Sequence, residues 1–201
     1  MMAIVMFMLA YVLGSLCSAV IVCRIFSLPD PRLSGSANPG TTNVLRIAGK
    51  KYAIIVLFAD MIKGFLPVLI SNNLGVDASW LGWIALAAVI GHIYPVFFSF
   101  QGGKGVATFF GALFGLKFAV GSFTIATWFV MALIFGYSSL AAITAIALAP
   151  FYSIVLLKNV WLFTPIMLSS MLILYKHHDN IRRLFYGEEA KIQWRRKSKS
   201  D

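Results

Sequence analysis

Ser34-Gly35-Ser36-Ala37-Asn38-Pro39-Gly40-Thr41-Thr42-Asn43-Val44-Leu45-Arg46 is a polar stretch set between two long apolar segments. It holds small residues, hydroxyls and amides, then an expected helix start with an arginine in its first turn. Thr42 or Asn43 suits the cap of that helix, because a short side-chain oxygen satisfies an unpaired N–H there. A helix N-terminus also presents free N–H groups and a partial positive charge. Arg46 adds a fixed cation with a planar fork of donors. These features suit a phosphate. A polar turn that merely caps the next helix accounts for the stretch equally well on its own, so the remainder of the chain has to decide.

The chain has 201 residues, of which 60% are hydrophobic and only 12% charged, which excludes an ordinary soluble domain. Windows of about 20 apolar residues recur, the length that crosses a bilayer. No polar stretch is long enough to bury a core of its own, so a single membrane-embedded domain over 1–201 is expected, with a basic tail from about residue 176. The net charge of +10 sits in a few loops and at the C-terminal end. That placement fits membrane orientation and anion binding, and it excludes the broad basic face of a nucleic-acid binder. Cys17 and Cys23 fall in one apolar segment and read as small packing residues, with no disulfide framework or metal site. That segment also lacks the basic start of a cleavable signal and runs on into Arg24.

Seven membrane spans are expected. The first covers 3–23, with Gly14, Ser15 and Ser18 as a small-residue face for close helix packing. The second covers 52–71 and carries Asp60 and Lys63 three apart on one face, either a structural ion pair or the border of a polar cavity. The third covers 80–98. The apolar run 106–135 is too long for one crossing, and Lys117 and Gly121 divide it into a short fourth span and a fifth. The sixth covers 140–157, with Pro150 as a kink, and the seventh 160–175. With seven spans, Arg24, Arg32, Arg46, Lys50, Lys51, Lys104, Lys176, Arg182, Arg183 and the tail cations fall on one side, Lys117 and Lys158 on the other. The positive-inside rule then puts the N-terminus outside and the C-terminus in the cytoplasm. The opening stretch, the loop at 102–105 and the basic tail would meet at one cytoplasmic face.

Gly102-Gly103-Lys104-Gly105 lets backbone N–H groups approach a ligand, and Lys104 adds a point charge. It is not a Walker A loop, because Phe98 and Gly105 stand where that motif needs Gly and Ser or Thr. Lys176-His177-His178-Asp179-Asn180-Ile181-Arg182-Arg183 would, as a continuation of the last span, put His177 and Asn180 on one face with Arg182 or Arg183 near it. The alternative there is a basic collar at lipid headgroups, the better reading for 191–199. His92 is either a site residue or a polar group satisfied inside the bundle. No Cys-His or Ser-His-Asp set stands at recognisable spacing, and no carboxylate cluster suits a metal. The His-x-x-x-x-Asp pattern of common glycerolipid acyltransferases is also missing, since Phe97 follows His92 and Arg182 follows His177 at that distance. Catalysis by positioning and charge stabilisation is the plain inference. A small transporter of phosphorylated metabolites would use the same anion-binding loops, although repeats and midplane broken helices are its usual marks. A non-catalytic scaffold binding anionic lipid would explain the tail and leave the Gly-rich loop idle.

Taken together, these motifs resemble the bacterial PlsY-type acyl-phosphate:glycerol-3-phosphate acyltransferase family. The resemblance rests on Leu13-Gly14-Ser15 with Gly35 to Arg46, on Asp60-Met61-Ile62-Lys63-Gly64, on Gly91-His92-Ile93-Tyr94-Pro95 through Gly102-Gly103-Lys104-Gly105-Val106-Ala107-Thr108, and on His177 to Leu184 with Gly187-Glu188-Glu189. It spans nearly the whole chain. Ala37 stands where the family usually has Gly, so the position need not take a positive φ; Cys17 replaces a usual Pro, and Gln101 a common basic residue. The resemblance implies an inner-membrane enzyme with its active face in the cytoplasm. It would move an acyl group from acyl phosphate to the 1-hydroxyl of glycerol 3-phosphate, releasing inorganic phosphate, with no cofactor or metal. Membrane lipids are its surroundings, nucleic acid is not a partner, and a monomer is compatible with the sequence. Ser36 and Arg46 are expected to hold the donor, and Gly102, Gly103 and Lys104 the phosphate of glycerol 3-phosphate. His177 and Asn180 would orient the attacking hydroxyl, with either His177 or a substrate phosphate oxygen as base. Asn38, Thr41, Thr42, Asn43, Lys63, His92, Arg182 and Arg183 complete the expected substrate-binding set.

Overall fold

The computed structural model describes residues 1–192 and is all helical. The expected tail cations Arg195, Arg196, Lys197 and Lys199 lie outside the described residues. The helices are α1 (Met2–Gly14), α2 (Ser18–Ile25), α3 (Thr41–Ala48), α4 (Lys50–Asn73), α5 (Ala78–Ile93), α6 (Val106–Leu116), α7 (Phe118–Phe135), α8 (Ser138–Leu157), α9 (Phe163–Tyr175) and α10 (His178–Phe185). Single 3-10 turns stand at Val96–Phe98 and Val160–Leu162. Helix is the expected choice in a membrane, where every backbone N–H and C=O must find its partner within the protein.

The count of spans corrects the sequence reading. Among the described residues four helices are long and apolar enough to cross a membrane, or six if each of two bent pairs is one span, and not seven. The expected fourth span is α6. It has 11 residues and so rises about 16 Å, half the roughly 30 Å of a hydrocarbon core. Its apolar residues face protein: Phe109, Ala112 and Leu113 are fully buried. The first expected span is broken, α1 from α2 by 44°, and the last does not continue straight past Tyr175, since α10 bends from α9 by 56°. The expectation of an outside N-terminus and a cytoplasmic C-terminus loses the seven-span count on which it stood.

Small residues bring the helices together. A Cβ on Gly64 would run into the Thr108 carbonyl, and one on Gly111 into the Met61 carbonyl, so α4 and α6 touch backbone to backbone. Gly14 and Gly91 do the same for α1 and α5, against Ala88 and Tyr11. Such contacts are how membrane helices associate without a hydrophobic driving force between them. The interior joins Val89, Ile93, Phe109, Leu113, Ile146, Ile166 and Ile173 from α5, α6, α8 and α9. Phe129, Leu133 and Ile134 of α7 point outward, as lipid-facing side chains should.

Candidate active site

The opening stretch is tied together by Asn43. Its side-chain oxygen accepts from the Ser36 N–H at 2.9 Å. Its amide nitrogen donates to the carbonyls of Pro31 at 2.8 Å and Ser34 at 2.9 Å. The Asn43 side chain is itself buried, so it is a clasp for the loop. It does not cap α3, and neither does Thr42: the N-cap is Gly40, with no side-chain cap bond. Thr42 instead pairs its hydroxyl with Ser138 at the start of α8, at 3.3 Å. Ala37 does take a positive φ, +54. The left-handed conformation persists there because the surrounding turn, pinned by Asn43, dictates it. Arg46 stands in the last turn of α3, not the first, and is exposed like Ser36. Asn38, Thr41 and Thr42 are half-buried beside them.

The second element is the Gly-rich loop. Gly103 donates its N–H to the His92 carbonyl at 3.2 Å. A Cβ on Gly103 would strike the His92 ring and lie 3.0 Å from the Pro39 carbonyl, so no side chain fits between the two loops. Gly102 is packed as closely, against the backbone of His92 and Ile93. Gly105 takes φ +91 and turns the chain into α6. Lys104 is left to project between these fixed points.

The third element arrives from the end of the chain. Lys104 Nζ donates to the Asn180 side-chain oxygen. Asn180 in turn donates to Glu189 at 2.7 Å, and Arg183 Nε donates to the other Glu189 oxygen at 2.7 Å. Arg182 on the same helix is exposed. Burial first, and then the nearby Arg183 charge, push the Lys104 ammonium down to about 8, with Arg46 adding and Glu189 and Asp179 opposing. Burial works to raise Glu189, but its hydrogen bonds, among them those of Arg183 and Asn180, hold the carboxyl below its ordinary range. His177 is buried at the break between α9 and α10, its Nδ1 2.8 Å from the Ile173 carbonyl. A carbonyl only accepts, so that nitrogen carries the proton and the neutral ring keeps a lone pair on Nε2.

Thus three of the expected groups converge, and their partners are clear. Lys63 and His92 are brought elsewhere. Both are buried beneath the Gly-rich loop, Lys63 paired with Asp60 at 2.8 Å and His92 with Thr108 at 3.0 Å. Sequence reasoning gave no role to Glu189, Ser138 or Thr108. For Glu189 a signal existed: an acidic pair, Glu188-Glu189, inside an otherwise basic tail. Among the described residues no three of His, Cys, Asp and Glu gather as a metal cage.

A helical membrane bundle with a cluster of lysine, arginine, amide and imidazole groups at one end defines a polytopic enzyme class that handles anionic substrates. The comparisons with known proteins narrow this. The family model described as glycerol-3-phosphate acyltransferase matches residues 4–187. A glycerol-3-phosphate acyltransferase of Legionella pneumophila (strain Corby) is 50% identical over 192 residues, covering 96% of this chain and 69% of that protein. Crystal structures of PlsY, an integral membrane glycerol 3-phosphate acyltransferase, are similar in fold. Its glycerol 3-phosphate form gives a TM-score of 0.90 at 40% identity, covering 95% of this chain and 96% of that one. Its lysophosphatidic acid form gives 0.88 at 38%, covering 95% of each. The chain belongs to the glycerol-3-phosphate acyltransferase family.

Proposed function

We propose that this membrane enzyme transfers an acyl group from acyl phosphate to the 1-hydroxyl of glycerol 3-phosphate, giving 1-acyl-glycerol 3-phosphate and inorganic phosphate. Family membership supports the transfer itself and sets aside the transporter and scaffold readings. The observation that carries the site is the Lys104–Asn180 contact, which joins the Gly-rich loop to α10 in a fold like that of a protein crystallised with glycerol 3-phosphate.

The roles follow from charge and geometry. Acyl phosphate is a mixed anhydride with a good leaving group, so attack by a held hydroxyl needs orientation more than a protein nucleophile. Arg46 and Ser36, exposed on the loop clasped by Asn43, hold the donor's phosphate and carbonyl. Asn38, Thr41 and Thr42 line the same loop and assist. Gly102, Gly103 and Lys104 take the phosphate of glycerol 3-phosphate, with Arg183 and the exposed Arg182 offsetting the repulsion of two phosphates. Asn180 and the Nε2 lone pair of His177 face the attacking hydroxyl. The whole chain acts as one membrane-embedded acyltransferase domain in the inner membrane. Its active face is cytoplasmic, a reading supported by the gathering of Arg46, Lys104, Arg182 and Arg183 at one end.

Protein purified in detergent, given acyl phosphate and labelled glycerol 3-phosphate, is expected to yield lysophosphatidic acid without added CoA, metal or ATP. Product formed only when acyl-CoA is supplied would overturn the donor assignment.

A further inference from the structure

Below the Gly-rich loop lies a chain of buried polar groups that no step of the reaction uses. Asp60, Lys63, His92 and Thr108 are all at most 7% exposed. Lys63 Nζ lies 2.8 Å from Asp60 Oδ1 and donates to the Leu16 carbonyl at 2.7 Å. Leu16 is in the break between α1 and α2, where a carbonyl loses its helical partner, so the ammonium satisfies it. Asp60 Oδ1 is also 3.5 Å from His92 Nδ1, which meets the Thr108 hydroxyl at 3.0 Å.

His92 therefore touches both ends of the loop. Its backbone carbonyl receives the Gly103 N–H, and its ring reaches Thr108 in the first turn of α6. Lys104 lies between these two attachments. The ring also packs against Gly103, so a shift of the imidazole moves the loop. A charged pair in this setting is costly and needs a reason beyond stability.

We propose that Asp60, Lys63, His92 and Thr108 form a positioning network that sets the place of the Gly102–Gly105 loop, with His92 as the residue that transmits it. His92 and Lys63 then act through the loop and do not touch substrate. Asp60 and Thr108 both meet the imidazole at Nδ1, Thr108 at 3.0 Å and Asp60 at 3.5 Å. The α1–α2 break is joined to the same network through Leu16.

The inference rests on the assignment of this loop to glycerol 3-phosphate made above, and the test separates the two. Asp60→Asn and His92→Ala remove a member of a buried pair and risk the fold, so Thr108→Val and Thr108→Ser are the main variants. Thr108→Val keeps the shape and loses the hydroxyl. Backbone hydrogen exchange over residues 101–106 is expected to accelerate in Thr108→Val, while α4 and α5 stay protected. The KM for glycerol 3-phosphate should rise about tenfold with that for acyl phosphate unchanged, and Thr108→Ser should restore both readings. Unchanged exchange in the loop overturns the network. So does faster exchange with neither KM altered. Faster exchange with the KM for acyl phosphate rising instead upholds the network and overturns the ligand assignment.

Discussion

Lys104 and Asn180 meet side chain to side chain across 76 residues of sequence. The contact brings a lysine ammonium, an amide and, through Glu189, the Arg183 guanidinium into one connected group. Its consequences are open to measurement.

Lys104 is protonated below about 8 and neutral above it. The proposed grip on a phosphate needs the charged form and is lost as pH rises through that value. kcat/KM for glycerol 3-phosphate is expected to fall above about pH 8. kcat should fall later, because bound phosphate favours the ammonium. In Lys104→Arg the decline should leave the measurable range. A profile unchanged by that substitution removes Lys104 from substrate binding.

Arg46→Ala and Lys104→Ala are expected to cut turnover at least about 100-fold, the scale of losing a charge-stabilising donor. Both variants should still insert and purify, since neither side chain is part of the core. Near-normal rates would take both out of the site.

No covalent acyl-enzyme is expected at Ser36. The serine is exposed, and its neighbour Asn43 contacts its backbone N–H through an amide oxygen, which is no base for a hydroxyl. Mass spectrometry after incubation with acyl phosphate alone is expected to find the unmodified chain. An adduct at Ser36 would replace direct transfer by a two-step route.

Ala37 takes a left-handed backbone at φ +54. Ala37→Gly is expected to stabilise the protein by up to about 1 kcal/mol, and Ala37→Val to destabilise it by more. Thermal or denaturant midpoints in detergent decide; a less stable glycine variant would show that the surrounding turn, and not residue 37, bears the strain.

Gly111 lies against the Met61 carbonyl with no room for a methyl group. Gly111→Ala is expected to force α6 away from α4 and reduce the yield of folded protein. A normally folded and active variant would mean that the two helices slide without cost.

Much of the site was legible because polar residues are scarce in this chain. Lys104 between glycines, Arg46 after a run of hydroxyls, and His177 with Asn180 stand out against apolar sequence. Their convergence could be read from the motifs together. The arrangement within each motif could not. Asn43 looked like a cap because caps and loop clasps use the same side chain, and only the fold shows which N–H it reaches. Hydropathy counted α6 as a crossing because a helix buried in protein and one buried in lipid are equally apolar. The 44° and 56° breaks carry no proline at the bend and left no mark in composition. His92 stayed open between a site residue and a satisfied polar group because nothing in its own sequence reveals the contacts with Thr108 and Asp60.

The order in which the chain is made bears on Glu189 and Asn180. A nascent polypeptide that has emerged only as far as α8 already contains Arg46 and Lys104, yet it has neither the amide that steadies the lysine nor the carboxylate behind it. Translation therefore brings Asn180 and Glu189 to Lys104 last, and on the proposed roles activity is expected to arrive in one step with them rather than to grow as each segment enters the bilayer.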